Sequence, residues 1–119
     1  MGGAIQGMPL NLSAIVTTLA GTAGQIGSID AMGSEARFNE PHHITTDGTN
    51  LYVTDSNDTI RKIVVTTGEV TTIAGMAYDY SSTDGTGSAA RFNMPWSITT
   101  DGKNLYVGDK SNYTIRKIR

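Results

Sequence analysis

Short runs that mix apolar and polar residues, each closed by glycine, asparagine or aspartate, dominate the chain. "HHITTD" gives way to the turn "DGTN", then to "LYVTD", a second polar turn, and "TIRKIVV"; after "TTGE" comes "VTTIAG". These runs are 4 to 7 residues long and rich in Val, Ile, Thr and Tyr. Such residues suit a pleated, half-buried surface, and the residues between them form turns. No stretch sustains a helical apolar period. The pattern predicts an all-β fold of short strands.

The same pattern occurs twice. "ARFNEPHHITTDGTNLYVTDSNDTIRKI" (Ala36 to Ile63) returns as "ARFNMPWSITTDGKNLYVGDKSNYTIRKI" (Ala90 to Ile118). Val16 aligns with Val70, Arg37 with Arg91, Ile44 with Ile98 and Asp55 with Asp109, and 25 of the 40 positions from Val16 to Asp55 are identical to their counterparts. Beyond Asp55 the second copy is one residue longer. A four-strand meander recurring at this spacing is the unit of a β-propeller blade.

The run P-x-x-I-T-T-D-G-x-N-L-Y-V-x-D followed by N-x-T-I-R-K-I resembles the NHL repeat of β-propellers, and "VTTIAG" with the "DGTGSAARFN" loop resembles its long-linker bacterial form. The resemblance covers nearly everything from Val16 onward. It implies a propeller that binds a protein, RNA or small ligand; some related six-bladed propellers are lyases or lactonases. Two departures stand out. His43 and Ser97 occupy a position that is usually glycine, and Thr45-Thr46 and Thr99-Thr100 replace the usual Ala-Val.

With strands a to d counted outward from the channel, residues 41-75 supply one whole blade and residues 95-119 supply a, b and c of a second. The remaining d strand is residues 14-21, "AIVTTLAG". The order d + abcd + abc is that of two blades circularly shifted. Two blades cannot close a ring, which needs roughly four to eight, and open strand edges invite pairing with another chain. The expected assembly is head-to-tail, the N-terminal strand of one subunit completing its neighbour's last blade. Six blades, usual in the resembled family, make a homotrimer; four or eight are the alternatives, and a piece of a larger propeller is the rival reading.

Charge narrows the partners. Nine Lys and Arg against eleven Asp and Glu give a formal net charge of −2, so no basic surface for nucleic acid or an anionic membrane is expected. Cysteine is absent, which removes disulfides and thiolate chemistry. The first basic residue is Arg37, so the N-terminus lacks a secretory n-region, and no apolar run approaches the roughly 20 residues of a membrane span. A soluble, cytoplasmic protein is expected.

Candidate ligand-binding residues lie at the start of the inner strands and in one long loop. His42 and His43 would recur around the channel mouth of a ring, where imidazoles could hold a divalent metal. With no third type of ligand beside them, no metal and no cofactor are assigned. Strict alternation puts His42, Ile44 and Thr46 on one face and His43, Thr45 and Asp47 on the other. Trp96 aligns with His42 and Ser97 with His43, so Trp96 is expected at the rim of the interblade core, its indole edge at the mouth. The loops Gly24 to Ser34 and Tyr78 to Gly87 differ most between the copies, and Tyr78 and Tyr80 make the second the better contact surface. Arg61 and Arg116 are expected to pair with carboxylates, Asp55 and Asp109 being the candidates. Arg37 and Arg91 are expected to anchor the long loops.

No nucleophile elbow, phosphate loop or repeated acid pair is present, and no catalytic residue is assigned. The leading expectation is an oligomeric binding scaffold for a protein, peptide or glycan. Alternatives are a metal-assisted lyase or lactonase using a channel histidine, and a structural or engineered fragment without ligand.

Overall fold

A computed structural model of the chain describes residues 9–119. Among the described residues, seven strands form two antiparallel sheets. β1 (Pro41–Thr46), β2 (Asn50–Asp55), β3 (Thr59–Val64) and β4 (Val70–Gly75) pair in that order; β5 (Pro95–Thr100), β6 (Leu105–Asp109) and β7 (Thr114–Ile118) make the second sheet. The fold is all-β, and meandering sheets of this kind are the ones propeller blades are built from. Among the described residues there is no α-helix, only single 3-10 turns at Gly33–Glu35, Gly87–Ala89 and Lys110–Asn112.

The turns follow from their residues. In "DGTN", Asp47 Oδ1 accepts the N–H groups of Thr49 and Asn50 at 2.8 and 2.7 Å, Gly48 takes φ 94°, and Tyr52 donates its hydroxyl to Asp47 Oδ2. Asp101, Gly102 and Tyr106 repeat this arrangement in the second sheet. These donors hold the Asp47 carboxyl below its ordinary range and bring Asp101 down to about 2.

The sheets pack face to face with β1 against β5. Ile60 and Ala74 from the first sheet meet Ile98, Leu105 and Val107 from the second, and Phe92 from the connecting loop plugs the seam. A second cluster of Val53, Ile63, Val70 and Ala36 forms on the far side of the first sheet, where Ala20 and Phe38 pack onto it. Residues 9–20 form no strand within the chain, and Leu10, Leu12, Ile15 and Val16 are exposed.

Candidate functional site

β1 and β5, the first strands of the two sheets, are both irregular at their first residues. Pro41 pairs with Asp55 and Ile44 with Val53, so His42 and His43 together oppose the single residue Thr54. In the second sheet Pro95 pairs with Asp109 and Ser97 with Gly108, which leaves Trp96 as the extra residue. An extra residue of this kind re-aims side chains and breaks alternation. The sequence-based assignment of His42 and His43 to opposite faces therefore needs correcting: both rings turn toward Trp96, with centroids 3.9 Å and 6.4 Å away.

Thr54 ties the two irregularities together. Its buried hydroxyl accepts the His43 N–H at 3.1 Å and donates to the Trp96 carbonyl at 2.7 Å. One side chain thereby sets the separation of the two inner strands where the aromatic residues stand. The equivalent residue in the second copy is Gly108, and a Cβ there would lie 2.6 Å from Ser97 Oγ. Glycine leaves the room that the serine hydroxyl fills.

Two groups crowd the indole of Trp96. The imidazole of His42 lies over it with a 31° tilt, and the Lys110 ammonium stands 4.1 Å from its centroid. The Lys110 contact is a cation–π interaction. Lys110 reaches that position because the 3-10 turn Lys110–Asn112 follows β6 and its N–H bonds to the Met94 carbonyl. His42 Nε2 is shielded from solvent and has no hydrogen-bond partner.

Arginine–carboxylate pairs brace the strand starts from below. Arg61 donates to Asp55 Oδ2 at 3.0 Å, and Arg116 donates to Asp109 Oδ2 at 2.9 Å. The other carboxylate oxygens accept from Asn39 N–H and Asn93 N–H, both at 2.9 Å, which fixes the chain just before each inner strand. Burial pushes the Asp55 carboxyl up, against the pull of Asn39 and Arg61. Asp58 is pushed up by burial too, while its Oδ1 accepts the Met94 N–H at 3.0 Å and so links the first sheet to the residue before Pro95. Arg37 and Arg91 bond the carbonyls of their own loops, Ser34 and Ala36 for one and Ser88 and Ala90 for the other.

The structure thus gathers His42, His43 and Trp96 at one end of the inner strands, with Ser97 beside them over Gly108. Tyr78 and Tyr80 are 60% and 67% exposed. The Tyr78 N–H bonds to the Asn57 carbonyl in the turn between β2 and β3, so the loop leaves from the same end of the sheet. Among the described residues, the aromatic partners of Trp96 are the two histidines and not these tyrosines. Lys110 and Thr54 are the residues that sequence reasoning missed. The one-residue insertion in "DKSNYT" was the available sign of Lys110; Thr54 against Gly108, a difference within an otherwise repeated strand, was the sign of Thr54.

No protein-family model matches the chain, and no curated protein matches it. Solved structures do. A structural-genomics protein of unknown function from Bacteroides thetaiotaomicron superposes with a TM-score of 0.77 at 33% identity, over 82% of this chain and 26% of that one. An auxiliary nutrient binding protein from the same organism gives a TM-score of 0.77 at 30% identity, over 85% of this chain and 28% of its own. The chain spans about a quarter of the length of these structures.

Proposed function

We propose that the chain is a ligand-binding scaffold of the NHL-propeller type, two blades of a closed six-bladed ring built from three copies, that recognises a glycan at the channel mouth. The observation that carries this reading is the stack of His42, Trp96 and Lys110, held in place by the Thr54 hydroxyl bridge. An indole offers an apolar face to the C–H groups of a sugar ring. The Ser97 hydroxyl and the Lys110 ammonium, both on exposed residues, supply polar groups for its hydroxyls. Lys110 is exposed and its ammonium sits on a stem of rotatable bonds, so it can leave the indole face as a ligand arrives. The likeness to a nutrient binding protein supports a binding role. Among the described residues neither histidine pairs with a carboxylate, so the lyase or lactonase reading lacks an acid–base partner for its imidazole.

Trp96 is the only tryptophan and reports on its own site. Titration with a panel of neutral and acidic oligosaccharides, and separately with peptides, is expected to give a saturable change in emission for a glycan. His42→Ala and Lys110→Ala should weaken that response without unfolding the protein. A saturable response to peptides alone would move the reading to a peptide receptor; none from either panel at millimolar concentration would remove the binding reading.

A further inference from the structure

The two copies of the repeat differ most at their outer edges. In the first sheet β4 lies in a slot with β3 on one side and the loop from Asp30 to Met32 on the other. Thr59 pairs with Gly75, Ile60 with Ala74, Arg61 with Thr72, Lys62 with Thr71 and Ile63 with Val70. On the loop side, Asp30 Oδ2 accepts the Thr72 N–H and Oδ1 accepts the Thr72 hydroxyl, both at 2.9 Å; the Val70 N–H bonds to the Ala31 carbonyl at 2.9 Å, and Met32 bridges Glu69. Arg61 closes the arrangement by donating to Asp30 Oδ1 at 2.8 Å.

The second sheet has the same slot without its strand. Arg116 donates to Asp84 Oδ1 at 2.9 Å and to the Thr83 carbonyl at 3.0 Å, as Arg61 does to Asp30 and Ile29. The carboxylate is already positioned, yet the Asp84 side chain is 95% exposed where that of Asp30 is 43% exposed. Among the described residues no strand pairs with the outer edge of β7. Ile115 is 77% exposed, whereas its counterpart Ile60 is fully buried. A groove of about 1260 Å³ opens at this edge, lined by Asp84–Gly87 and Thr114–Arg119 together with Tyr52, Lys62 and Ile73 of the first sheet.

One segment of the chain carries the matching sequence. Residues 16–21 read "VTTLAG" against "VTTIAG" in β4. Ala20 packs on the far side of the first sheet, against Val53, Ile63 and Val70, whereas β7 belongs to the sheet on the near side. A whole sheet therefore separates this segment from the β7 of its own chain. The apolar face beside it, with Ile44 at 59% exposure where its counterpart Ile98 is at 8%, is the face that the first sheet's neighbour would cover.

We infer that the slot between β7 and Asp84–Thr86 receives residues 16–21 of a second copy of this chain, in a register set by the first sheet. Gly21 pairs with Thr114, Ala20 with Ile115, Thr18 with Arg116, Thr17 with Lys117 and Val16 with Ile118. Thr18 gives its N–H and its hydroxyl to the Asp84 carboxylate, and Val16 gives its N–H to the Gly85 carbonyl. Ile115 is then buried against the partner's Ile44 and the partner's Val53, as Ile60 is against Ile98 and Val107. The inference rests on the head-to-tail assembly proposed above and adds its register and its anchoring carboxylate.

The chain has no cysteine, so introduced pairs can be read without interference. Facing residues in antiparallel strands have Cα atoms about 4.5 to 5.5 Å apart, within disulfide range. Full-length protein carrying Thr17→Cys and Lys117→Cys should, on mild oxidation, become covalent multimers on a non-reducing gel. Thr18→Cys with Lys117→Cys points its thiols to opposite faces and should stay uncrosslinked. Asp84→Ala, at an exposed position, should leave the fold intact and weaken association by about ten- to a hundredfold, the worth of a charge-assisted bond. Failure of the in-register pair to link, linkage of the off-register pair, or a disulfide closed within a monomer would each overturn the inference. These readouts are independent of Trp96 emission, so loss of the glycan reading would leave them standing; a multimer that persists without in-register linkage would keep the assembly and reject the register.

Discussion

Replacing Arg61 by methionine removes one donor set from a fully buried polar site. The Arg61 side chain is fully buried, and its guanidinium serves Asp55 Oδ2 at 3.0 Å, Asp30 Oδ1 at 2.8 Å and the carbonyls of Arg37 and Ile29 at 2.9 and 3.0 Å. Methionine keeps much of the volume and supplies no donor, so the fully buried Asp55 loses its cation. Breaking a buried pair from one side costs about 3–5 kcal/mol. That is a large part of the roughly 5–15 kcal/mol that holds a domain together. Arg116→Met should cost less, about 1–3 kcal/mol, because Asp109 Oδ2 also accepts from Asn112 Nδ2 at 2.7 Å and the Asp84 arm is solvated.

Urea unfolding at fixed protein concentration measures both losses. Burial already holds the Asp55 carboxyl above its ordinary 3.8, and losing Arg61 raises it further. A carboxyl raised on folding weakens stability as pH climbs from the unfolded value through the folded one. The Arg61→Met penalty should therefore be smaller near pH 4 than at pH 7. Adding Asp55→Asn, which keeps an acceptor for the Asn39 N–H, should recover at least about 2 kcal/mol at neutral pH. Equal losses for the two arginines, or a penalty indifferent to pH and to Asp55→Asn, would refute the reasoning.

Thr54→Val should cost about 1–3 kcal/mol by leaving the His43 N–H and the Trp96 carbonyl without their shared partner, and should shift Trp96 emission; Thr54→Ser should do neither. Gly75 has φ +87°, and a Cβ there would lie 2.4 Å from the Asp58 carbonyl oxygen. Gly75→Ala should therefore lose about 1–3 kcal/mol or more in thermal unfolding, while Gly24→Ala, with the same sign of φ and open space around it, should lose about 1 kcal/mol. Carbon-detected NMR should find the Asp101 carboxyl titrating at about 2, and Tyr106→Phe should raise it toward 3.8. Because that carboxyl is depressed on folding, its contribution is present above 3.8 and lost as pH falls toward 2.

The strand inventory was legible because turn residues and β-formers repeat in register, and repetition averages away accidents of any one segment. The Arg61–Asp55 and Arg116–Asp109 pairs were legible for the same reason, since each pair recurs at matching positions. The arrangement around Trp96 was not. Alternation assumes an unbroken ladder, and nothing in "PHHI" or "PWSI" announces that the ladder skips a residue there. Lys110 reaches the indole through a turn, where the chain's direction depends on φ values such as +57° at Tyr113 rather than on side-chain period. The slot beside Asp84 became visible only when its exposure could be set against that of Asp30.

Native mass spectrometry of the full-length chain at micromolar concentration tests the central claim most directly. The expected result is a single species at three times the 12.6 kDa of one chain, with smaller species appearing in Asp84→Ala. A species at 12.6 kDa that persists as concentration rises would contradict the ring and, with it, a recognition site repeated around its mouth.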